Sequence, residues 1–278
     1  MTIAEWPLCE TGAMRRRPVD VPGWDSDAVI VDERYIERVP RRAAVRRGLE
    51  RECRVLPLIA PLLPLAVPVP TEVAPDGFAP WRVRHEMLPG TAAEPGVLTE
   101  ADGARVGEFL RALHDLPIAE LGLNISPDDQ FASTVTRMER EVLPLLESTD
   151  RPAGAALLER VTRTTPTVFA HRDLGPEHLL FVGGRVSGVI DWTDAGLDDP
   201  AIDLAWVVHG TPPRFRDGLL RVYAPDADDL DRSLDWYRMG PWHEVLWGLD
   251  EGGTAYVRSG LQGIHRRLHA PHLHGPES

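Results

Sequence analysis

The most informative segment of this chain is TVFAHRDLGPEHLLFVGGRVSGVIDWTDAGLDDPAIDLAW, residues 167–206. Its first apolar run leads into a polar loop that contains Asp173. Two further apolar runs follow, and the pair Gly183-Gly184 between them is typical of the turn of a β-hairpin. The hairpin is predicted to bring Asp173, His178 and the strand-end acid Asp191 towards one place.

These residue types fit the chemistry of phosphoryl transfer. That reaction needs a carboxylate to orient the attacking hydroxyl group and hard ligands to hold magnesium on the phosphates. The tripeptide HRD ends at Asp173, His178 follows five residues later, and Asp191 ends the second hairpin strand. This order matches the catalytic loop and the metal-binding aspartate of kinases.

The segment resembles the aminoglycoside phosphotransferase family, whose catalytic loop is similar to that of protein kinases. The sequence HRDLGPEH has histidine in place of the usual asparagine and is most similar to the macrolide phosphotransferase branch. The continuation DWTDAGLDDPAIDLA also resembles this family. The resemblance implies an α+β, protein-kinase-like fold with two lobes. Residues 1–89 would form a small, β-rich, nucleotide-binding lobe, and residues 90–278 a larger helical lobe for catalysis and substrate binding.

The resemblance implies a role for each residue of the motif. Asp173 would accept the proton of the substrate hydroxyl group. His178 and Asp191 would bind Mg²⁺, although imidazole is a poorer magnesium ligand than an oxygen group. His171 and Asp203 would have structural roles and brace the loop.

The chain contains no lysine, so an arginine must contact the nucleotide phosphates if the site is active. Arg38, in a predicted strand, occupies the position that the resemblance selects, and Glu52, on the next predicted helix, would pair with it. The alternative is that Arg38 is a surface arginine on an alternating strand. The resemblance implies further contacts to ATP or GTP at the turn formed by Asp25 and Ser26, over the phosphates, and at Met87 and Leu88, whose backbone groups would read the purine edge.

The acceptor substrate is expected to lie between the catalytic loop and the C-terminal helices. Aromatic rings there could stack on a substrate, and acids could bind its amines; the alternative is that the tryptophans close an apolar core. The candidate substrate residues are Asp194, Trp242, Glu244 and Trp247. Four histidines lie in or near the C-terminal tail: His265, His269, His272 and His274. They could bind a metal, or they could belong to a frayed terminus.

Hydrophobic periodicity predicts the remaining elements. After residue 201 the chain is expected to be mostly helical. Thr99 and Asp102 form a predicted capping box at the start of one helix. Strands are predicted at 28–31, 35–39 and 81–87, helices at 43–56, 100–116, from Ser126 and at 155–162, and irregular chain at the proline-rich segment 57–70.

The composition limits the function. A hydrophobic content of 43% and a charged content of 26% are ordinary for a soluble globular protein. The chain has no apolar run of the ~20 residues that a membrane span needs, and no signal peptide, so a cytoplasmic location is expected. A net charge of −13 argues against a nucleic-acid partner. Two cysteines indicate neither a disulfide scaffold nor a zinc site.

The function predicted from the sequence is transfer of the γ-phosphate of ATP or GTP to a hydroxyl group of a small molecule. The acceptor would be an aminoglycoside, macrolide or nucleoside antibiotic, the result resistance, and the enzyme a monomer or homodimer. Three alternatives remain open. They are a metabolite kinase of the choline or homoserine type, a nucleotide-binding pseudokinase without turnover, and a metal-dependent hydrolase that uses His171, Asp173, His178 and Asp191 as one ligand set.

Overall fold

A computed structural model of the chain describes residues 15–19, 25–74, 80–92, 95–123, 125 and 130–270. The chain divides into two compact units. The smaller unit comprises the described residues up to Leu62 together with Ala66–Pro89. The larger unit comprises Leu63–Leu65 and the described residues from Gly90 onward.

The smaller unit is built on an antiparallel sheet of five strands. They are β1 (Arg16–Pro18), β2 (Ser26–Val31), β3 (Tyr35–Pro40), β4 (Thr71–Val73) and β5 (Arg82–Glu86), arranged in the order β1-β2-β3-β5-β4. Helix α1 (Ala43–Ile59) follows β3 in the chain. Val45 and Leu49 of this helix pack against Val83 of β5, and this contact forms the apolar core between helix and sheet.

Helix α1 extends beyond its predicted end at residue 56, because it continues through Pro57 to Ile59 and into a 3₁₀ turn at Ala60–Leu62. A proline inside a helix removes one backbone hydrogen bond. Here Leu56 and Ile59 on either side of it are buried, so the last turn keeps its apolar contacts. Burial of these side chains therefore overrides the helix-breaking signal of the proline-rich segment.

The larger unit contains two small sheets. Their strands are β6 (Thr91–Ala92), β7 (Val168–Ala170), β8 (Leu179–Val182), β9 (Arg185–Val189) and β10 (Gly196–Asp198). The order β6-β8-β9 makes one antiparallel sheet, and β7 pairs with β10 in the other. Gly183 and Gly184 have φ angles of 58° and 78°, which a type I′ hairpin turn requires. The predicted hairpin between β8 and β9 is thus confirmed.

Seven further helices are described in the larger unit. They are α2 (Glu100–His114), α3 (Gln130–Arg137), α4 (Arg151–Val161), α5 (Ala201–His209), α6 (Pro213–Tyr223), α7 (Ala227–Asp250) and α8 (Thr254–Leu268). After α3 the chain continues as a π-helical turn at Met138–Val142 and a 3₁₀ turn at Leu143–Leu145. The predicted start of α3 at Ser126 lies outside the described residues. The mostly helical character predicted after residue 201 is confirmed.

Two helix starts illustrate how local sequence sets the boundaries. The capping box at α2 is confirmed, because the Asp102 backbone N–H donates to the Thr99 hydroxyl oxygen at 3.2 Å and the Thr99 N–H donates to the Asp102 carboxylate at 3.1 Å. Helix α4 begins at Arg151, earlier than the predicted residue 155. Pro152 lies in its first turn, where a proline fits because no backbone N–H is needed there.

Helices α2 and α6 approach each other backbone to backbone. A Cβ atom added at Gly103 would lie 1.9 Å from the Phe215 carbonyl oxygen, and one added at Gly218 would lie 2.0 Å from the Glu100 carbonyl oxygen. Only glycine fits at these two contacts. The close packing brings His114, at the end of α2, beside Tyr223, at the end of α6, with 2.7 Å between the imidazole Nδ1 and the phenol oxygen.

The main helical core of the larger unit surrounds α7. Trp236, Met239 and Trp242 of this helix are buried among apolar residues of neighbouring helices, including Leu157 of α4 and Ile264 of α8. Trp242 is fully buried, so the prediction that it contacts substrate is wrong: its ring packs in the core, with the tip against Gly154. None of the helices described combines the length and apolar character that crossing a membrane requires.

Candidate active site

The loop after β7 is held by one buried carboxylate. Asp203, in the first turn of α5, accepts hydrogen bonds from the backbone N–H groups of His171 at 2.8 Å and Arg172 at 2.7 Å. The Nε2 atom of His114 lies 3.0 Å from the same carboxylate. Burial disfavours the charged form of Asp203, but the hydrogen bond and charge of His114, with smaller contributions from His171, outweigh it and lower the pKa. Asp203 therefore holds the loop backbone as an ionised acceptor.

His171 ties the start of the loop to the end of the hairpin. Its Nε2 lies 3.0 Å from the Ile190 carbonyl oxygen, and its Nδ1 accepts the backbone N–H of Asp173 at 3.3 Å. Its ring packs edge-on against Trp192, with 4.7 Å between centroids. Burial lowers the pKa of His171 to about 4, so the imidazole is neutral and donates through Nε2. Full burial and these contacts are consistent with the bracing role predicted for His171.

Asp173, His178 and Asp191 lie together as the hairpin predicts. The His178 Nδ1 lies 2.6 Å from the backbone carbonyl oxygen of Asp173 and 3.7 Å from its carboxylate. On the other side of the ring, the His178 Nε2 lies 3.7 Å from the Asp191 carboxylate. The two carboxylates are 48% and 46% exposed, whereas the imidazole is 15% exposed. The arrangement presents two accessible acids joined by an oriented imidazole.

Negative charge accumulates at this site. Crowding by protein atoms raises the pKa of Asp173 to about 7; His178 opposes this shift, while Asp194 and Asp191 add to it. Desolvation disfavours the charged form of His178, but the carboxylates of Asp173 and Asp191 outweigh it and raise the pKa of the imidazole. A divalent cation would relieve the repulsion between these acids.

The donor set fits a magnesium ion. Asp191 offers carboxylate oxygen, the ligand that Mg²⁺ prefers. The neighbouring carboxylates favour protonation of His178, so metal binding there requires loss of a proton; in the neutral form the Nδ1 atom donates to a backbone carbonyl and the Nε2 lone pair faces Asp191. Asp191 is further oriented by the Thr193 hydroxyl group, which donates to its carboxylate at 3.3 Å.

The backbone is strained on both sides of the site. Arg172 has a φ angle of 71° and Asp191 one of 65°, a left-handed conformation that costs a non-glycine residue about 1–3 kcal/mol. The Arg172 side chain is fixed by an ion pair to Asp198 at 2.7 Å and donates to the Asp194 carbonyl oxygen at 3.3 Å. The surrounding contacts thus maintain a conformation that aims Asp173 and Asp191 outward.

The smaller unit contains the predicted pair of Arg38 and Glu52. The Arg38 Nη1 atom lies 3.1 Å and 3.2 Å from the two carboxylate oxygens of Glu52, and its Nε lies 3.4 Å from the Ser26 hydroxyl oxygen. The two charged side chains are only 11% and 1% exposed. An arginine on β3 is therefore oriented by an acid on α1, and its contact with a nucleotide stays a prediction.

The other predicted nucleotide-binding positions are less clearly arranged for that role. The Asp25 carboxylate forms an ion pair with Arg42. The backbone N–H of Met87 donates to the Arg34 carbonyl oxygen at 2.7 Å, which continues the pairing of β3 and β5. This N–H is thus occupied, and a purine contact by Met87 would have to use its carbonyl oxygen. Leu88, next in the chain, is partly buried.

The predicted substrate residues do not form one group. Asp194 is exposed and close enough to Asp173 to raise its pKa. Glu244 accepts a hydrogen bond from the Ser259 hydroxyl group of α8. Trp247 is partly buried on α7, in the last turn of the helix. Asp194 is therefore the member of this set for which the structure gives a link to the catalytic loop.

Three residues at this site were not predicted from the sequence: His114, Arg172 and His243. His114 follows Val106 and Leu110 at helical spacing, and a polar residue on a buried face must find a partner. The side chain of His243, on α7, is exposed to solvent. Desolvation by the surrounding protein atoms, and to a smaller extent the charge of the Arg172 guanidinium, lower its pKa to about 4. That interaction places α7 beside the catalytic loop.

Comparison with known proteins supports the resemblance to phosphotransferases that the sequence shows. The model of the phosphotransferase enzyme family matches residues 18–241. Viomycin phosphotransferase from Streptomyces vinaceus is 32% identical over 133 residues, which cover 42% of this chain and 46% of that protein. The GDP complex of aminoglycoside 2'-phosphotransferase-IIIa superposes with a TM-score of 0.77 at 18% identity, over 91% of this chain and 92% of the other. Macrolide 2'-phosphotransferase type I gives a TM-score of 0.67 at 25% identity, over 91% of each chain.

The sequence match thus spans less than half the length of viomycin phosphotransferase. The structural matches extend over both units and show the two-lobed, protein-kinase-like α+β fold. The family model covers most of the chain, including the catalytic loop, the hairpin and Asp203. The chain belongs to the phosphotransferase enzyme family.

Proposed function

We propose that this protein transfers the γ-phosphoryl group of ATP or GTP to a hydroxyl group of an antibiotic and thereby inactivates it. The observation that carries the proposal is the proximity of Asp173 and His178, in the loop after β7, to Asp191, which follows β9, together with the two backbone hydrogen bonds by which buried Asp203 holds the start of that loop. Family membership supports a phosphotransferase, and the match to viomycin phosphotransferase supports an antibiotic as acceptor.

In this proposal Asp173 is the catalytic base. Its carboxylate orients the acceptor hydroxyl group and accepts the proton as the oxygen attacks the γ-phosphorus. The new bond joins that oxygen to phosphorus, and the bond to the β-phosphate oxygen breaks to release the nucleoside diphosphate. The half-exposed position of Asp173 gives an acceptor direct access to the carboxylate.

Asp191 and the Nε2 of His178 would hold Mg²⁺. The ion supplies positive charge that neutralises the β- and γ-phosphate oxygens. The hydrogen bond from the His178 Nδ1 to the Asp173 carbonyl oxygen keeps the ligand atom directed at Asp191. In the smaller unit, Arg38 would contact the nucleotide phosphates, with Glu52 fixing the direction of its guanidinium.

A cationic acceptor fits the charge of the site better than a neutral one. Asp173, Asp191, Asp194 and Glu177 add negative charge around the place where the acceptor hydroxyl must lie. The net charge of the whole chain is −13, which adds a long-range attraction for cations. Amine-bearing antibiotics, such as aminoglycosides and viomycin, are therefore preferred over uncharged ones.

The test is a turnover screen with ATP and with GTP in the presence of Mg²⁺. The acceptors are kanamycin, gentamicin, viomycin, a macrolide, a nucleoside antibiotic, choline and homoserine, and mass spectrometry detects a phosphate added to the acceptor. The variant Asp173→Asn is the control, since it should retain nucleotide binding while turnover falls by about 10²–10⁴-fold.

Each result has a distinct meaning. Phosphorylation of an antibiotic by the wild type but not by Asp173→Asn supports the proposal. Phosphorylation of choline or homoserine alone replaces it with a metabolite kinase. Nucleotide binding without any product replaces it with a pseudokinase, and phosphate release without an acceptor replaces it with a hydrolase.

A further inference from the structure

A second cluster of metal-ligand side chains lies in the larger unit, at residues that the phosphotransferase reaction does not use. It joins the start of α4 to the end of α8 and consists of Asp150, His265 and His269. The His265 Nδ1 lies 2.7 Å from one carboxylate oxygen of Asp150, and the His269 Nε2 lies 3.1 Å from the other. One ligand atom from each residue can be chosen so that all lie within 4.8 Å of one another.

The carboxylate of Asp150 does not cap helix α4. The residue occupies the N-cap position of α4, where an aspartate side chain normally accepts a backbone N–H of the first turn. It makes no such hydrogen bond. Its side chain is only 3% exposed, and its oxygens are directed instead at the imidazoles of His265, in α8, and of His269, which caps the end of that helix. The loss of the cap is a cost that the interaction with the histidines must offset.

The histidines are spaced as metal ligands on a helix. His265 and His269 are four residues apart, one helical turn, so both imidazoles lie on the same face. Their ring centroids are 5.0 Å apart. The side chains are 61% and 60% exposed, which leaves a path for an ion and freedom for small adjustments of the rings.

The distances already approach those of a coordination sphere. Zinc binds imidazole nitrogen and carboxylate oxygen at about 2.0–2.2 Å, which separates two tetrahedral ligands by roughly 3.3 Å. The nitrogen-to-oxygen distances of 2.7 Å and 3.1 Å are those of hydrogen bonds, and a metal ion that replaces the bridging protons would need to move these atoms only slightly apart. Two nitrogen ligands and one oxygen ligand select a late first-row transition metal over magnesium or calcium.

We propose that Asp150, His265 and His269 form a binding site for a transition-metal dication, with Zn²⁺ as the probe ion. Each imidazole binds through the nitrogen that faces Asp150, and solvent completes the coordination. The site clamps the beginning of α4 to the end of α8. Both helices pack on the core around α7, so the metal stabilises the helical core of the larger unit.

The experiment measures zinc binding to the full chain after removal of metals with a chelator. Competition with a chromophoric chelator gives the stoichiometry and Kd, and thermal unfolding gives the change in Tm on addition of ZnCl₂. The site variants are Asp150→Asn and the double variant H265Q/H269Q, whose substitutions lie at exposed positions in the last turn of α8 and at its C-cap. The matched control is H272Q/H274Q, which removes two histidines from the tail. The variant Asp191→Asn tests binding at the catalytic site.

The expected result is one zinc ion per chain and a higher Tm for the wild type, H272Q/H274Q and Asp191→Asn. Both site variants should bind zinc at least tenfold more weakly and lose the Tm shift. The proposal is overturned if H265Q/H269Q binds zinc as tightly as the wild type. It is also overturned if H272Q/H274Q or Asp191→Asn removes the binding, or if the wild type shows no zinc-dependent change in Tm.

Discussion

The Nδ1 atom of His178 lies 2.6 Å from the backbone carbonyl oxygen of Asp173. This hydrogen bond fixes which nitrogen of neutral His178 carries the proton, and it leaves the Nε2 lone pair on the side of Asp191. It also joins the proposed base to the proposed metal ligand through five residues of chain. A histidine can therefore occupy the position of the usual asparagine without losing a directed ligand atom.

The first prediction concerns the ligand role of His178. The variant His178→Ala should lower turnover at limiting Mg²⁺ by at least tenfold, because it removes a ligand atom together with the bond that orients the loop. His178→Asn should retain more activity and need less Mg²⁺ than the alanine variant, since its amide oxygen is a hard ligand. The measurement is kcat as a function of Mg²⁺ concentration. Equal magnesium requirements of the two variants would contradict the ligand role.

The second prediction concerns the phosphate contact of Arg38. Arg38→Ala should weaken ATP or GTP binding by about ten- to one-hundredfold, as expected for the loss of charge-assisted hydrogen bonds. Arg38→Lys should recover part of the affinity, because it keeps the charge but not the planar fork. Calorimetric titration with each nucleotide provides the Kd values.

Arg34 offers the control for Arg38, because its ion pair with Glu86 is formed by side chains that are 64% and 68% exposed. Arg34→Ala should leave nucleotide affinity unchanged. If the two alanine variants bind nucleotide equally well, the phosphates are contacted by another residue.

The third prediction concerns the buried contacts of Asp203. Asp203→Asn replaces an acceptor of three hydrogen bonds by an amide that also donates, so the free energy of unfolding should fall by about 3–5 kcal/mol. His114→Ala removes one of the three bonds and should cost about 1–3 kcal/mol. Urea denaturation of both variants measures whether Asp203→Asn loses more unfolding free energy than His114→Ala.

A surface aspartate provides the comparison for this series. Asp217 is 63% exposed and paired with Arg216, so Asp217→Asn should change the free energy of unfolding by less than about 1 kcal/mol. A loss for Asp203→Asn no larger than that of Asp217→Asn would show that Asp203 does not brace the loop.

The fourth prediction is a pH dependence of stability from His85. Burial, and secondarily the charge of Arg38, lower the pKa of this imidazole to about 4 in the folded protein, against about 6.5 in the unfolded chain. The unfolded state therefore binds more protons between these values. The contribution of His85 is complete above pH 6.5 and is lost as the pH falls towards 4, by at most on the order of 3 kcal/mol.

The measurement for His85 is the free energy of unfolding at pH 7 and at pH 4.5. The variant His85→Gln cannot titrate, so its stability should fall less between the two pH values than that of the wild type. Parallel losses in the two proteins would mean that His85 is not responsible.

Much of the fold follows from local sequence. The pair Gly183-Gly184 specifies the hairpin because both residues must adopt positive φ angles, and the Thr99–Asp102 box specifies the start of α2. The end of α1 was not predictable in this way. Pro57 signals a break, whereas burial of Ile59 extends the helix, and that burial depends on partners distant in sequence.

In the candidate site, too, some features follow from local sequence and others depend on tertiary packing. The spacing of Asp173, His178 and Asp191 on a loop and a hairpin is local, so the sequence predicts their proximity. The burial of Trp242 is not local: its ring packs near Gly154, far away in the chain. An aromatic residue beside acids on a helix is compatible with either a substrate contact or a core position, and only packing decides between them.

The family, the order of elements and the acids that approach one another across a hairpin could be predicted from the sequence, because they depend on motifs and on short-range geometry. Which side chains are buried, and what they contact, depends instead on packing between segments that are distant in the chain. Such packing joins His114 to Asp203 across 89 residues and His265 and His269 to Asp150 across more than a hundred. Hydrogen bonds and burial depend on distance in space, which sequence separation does not specify.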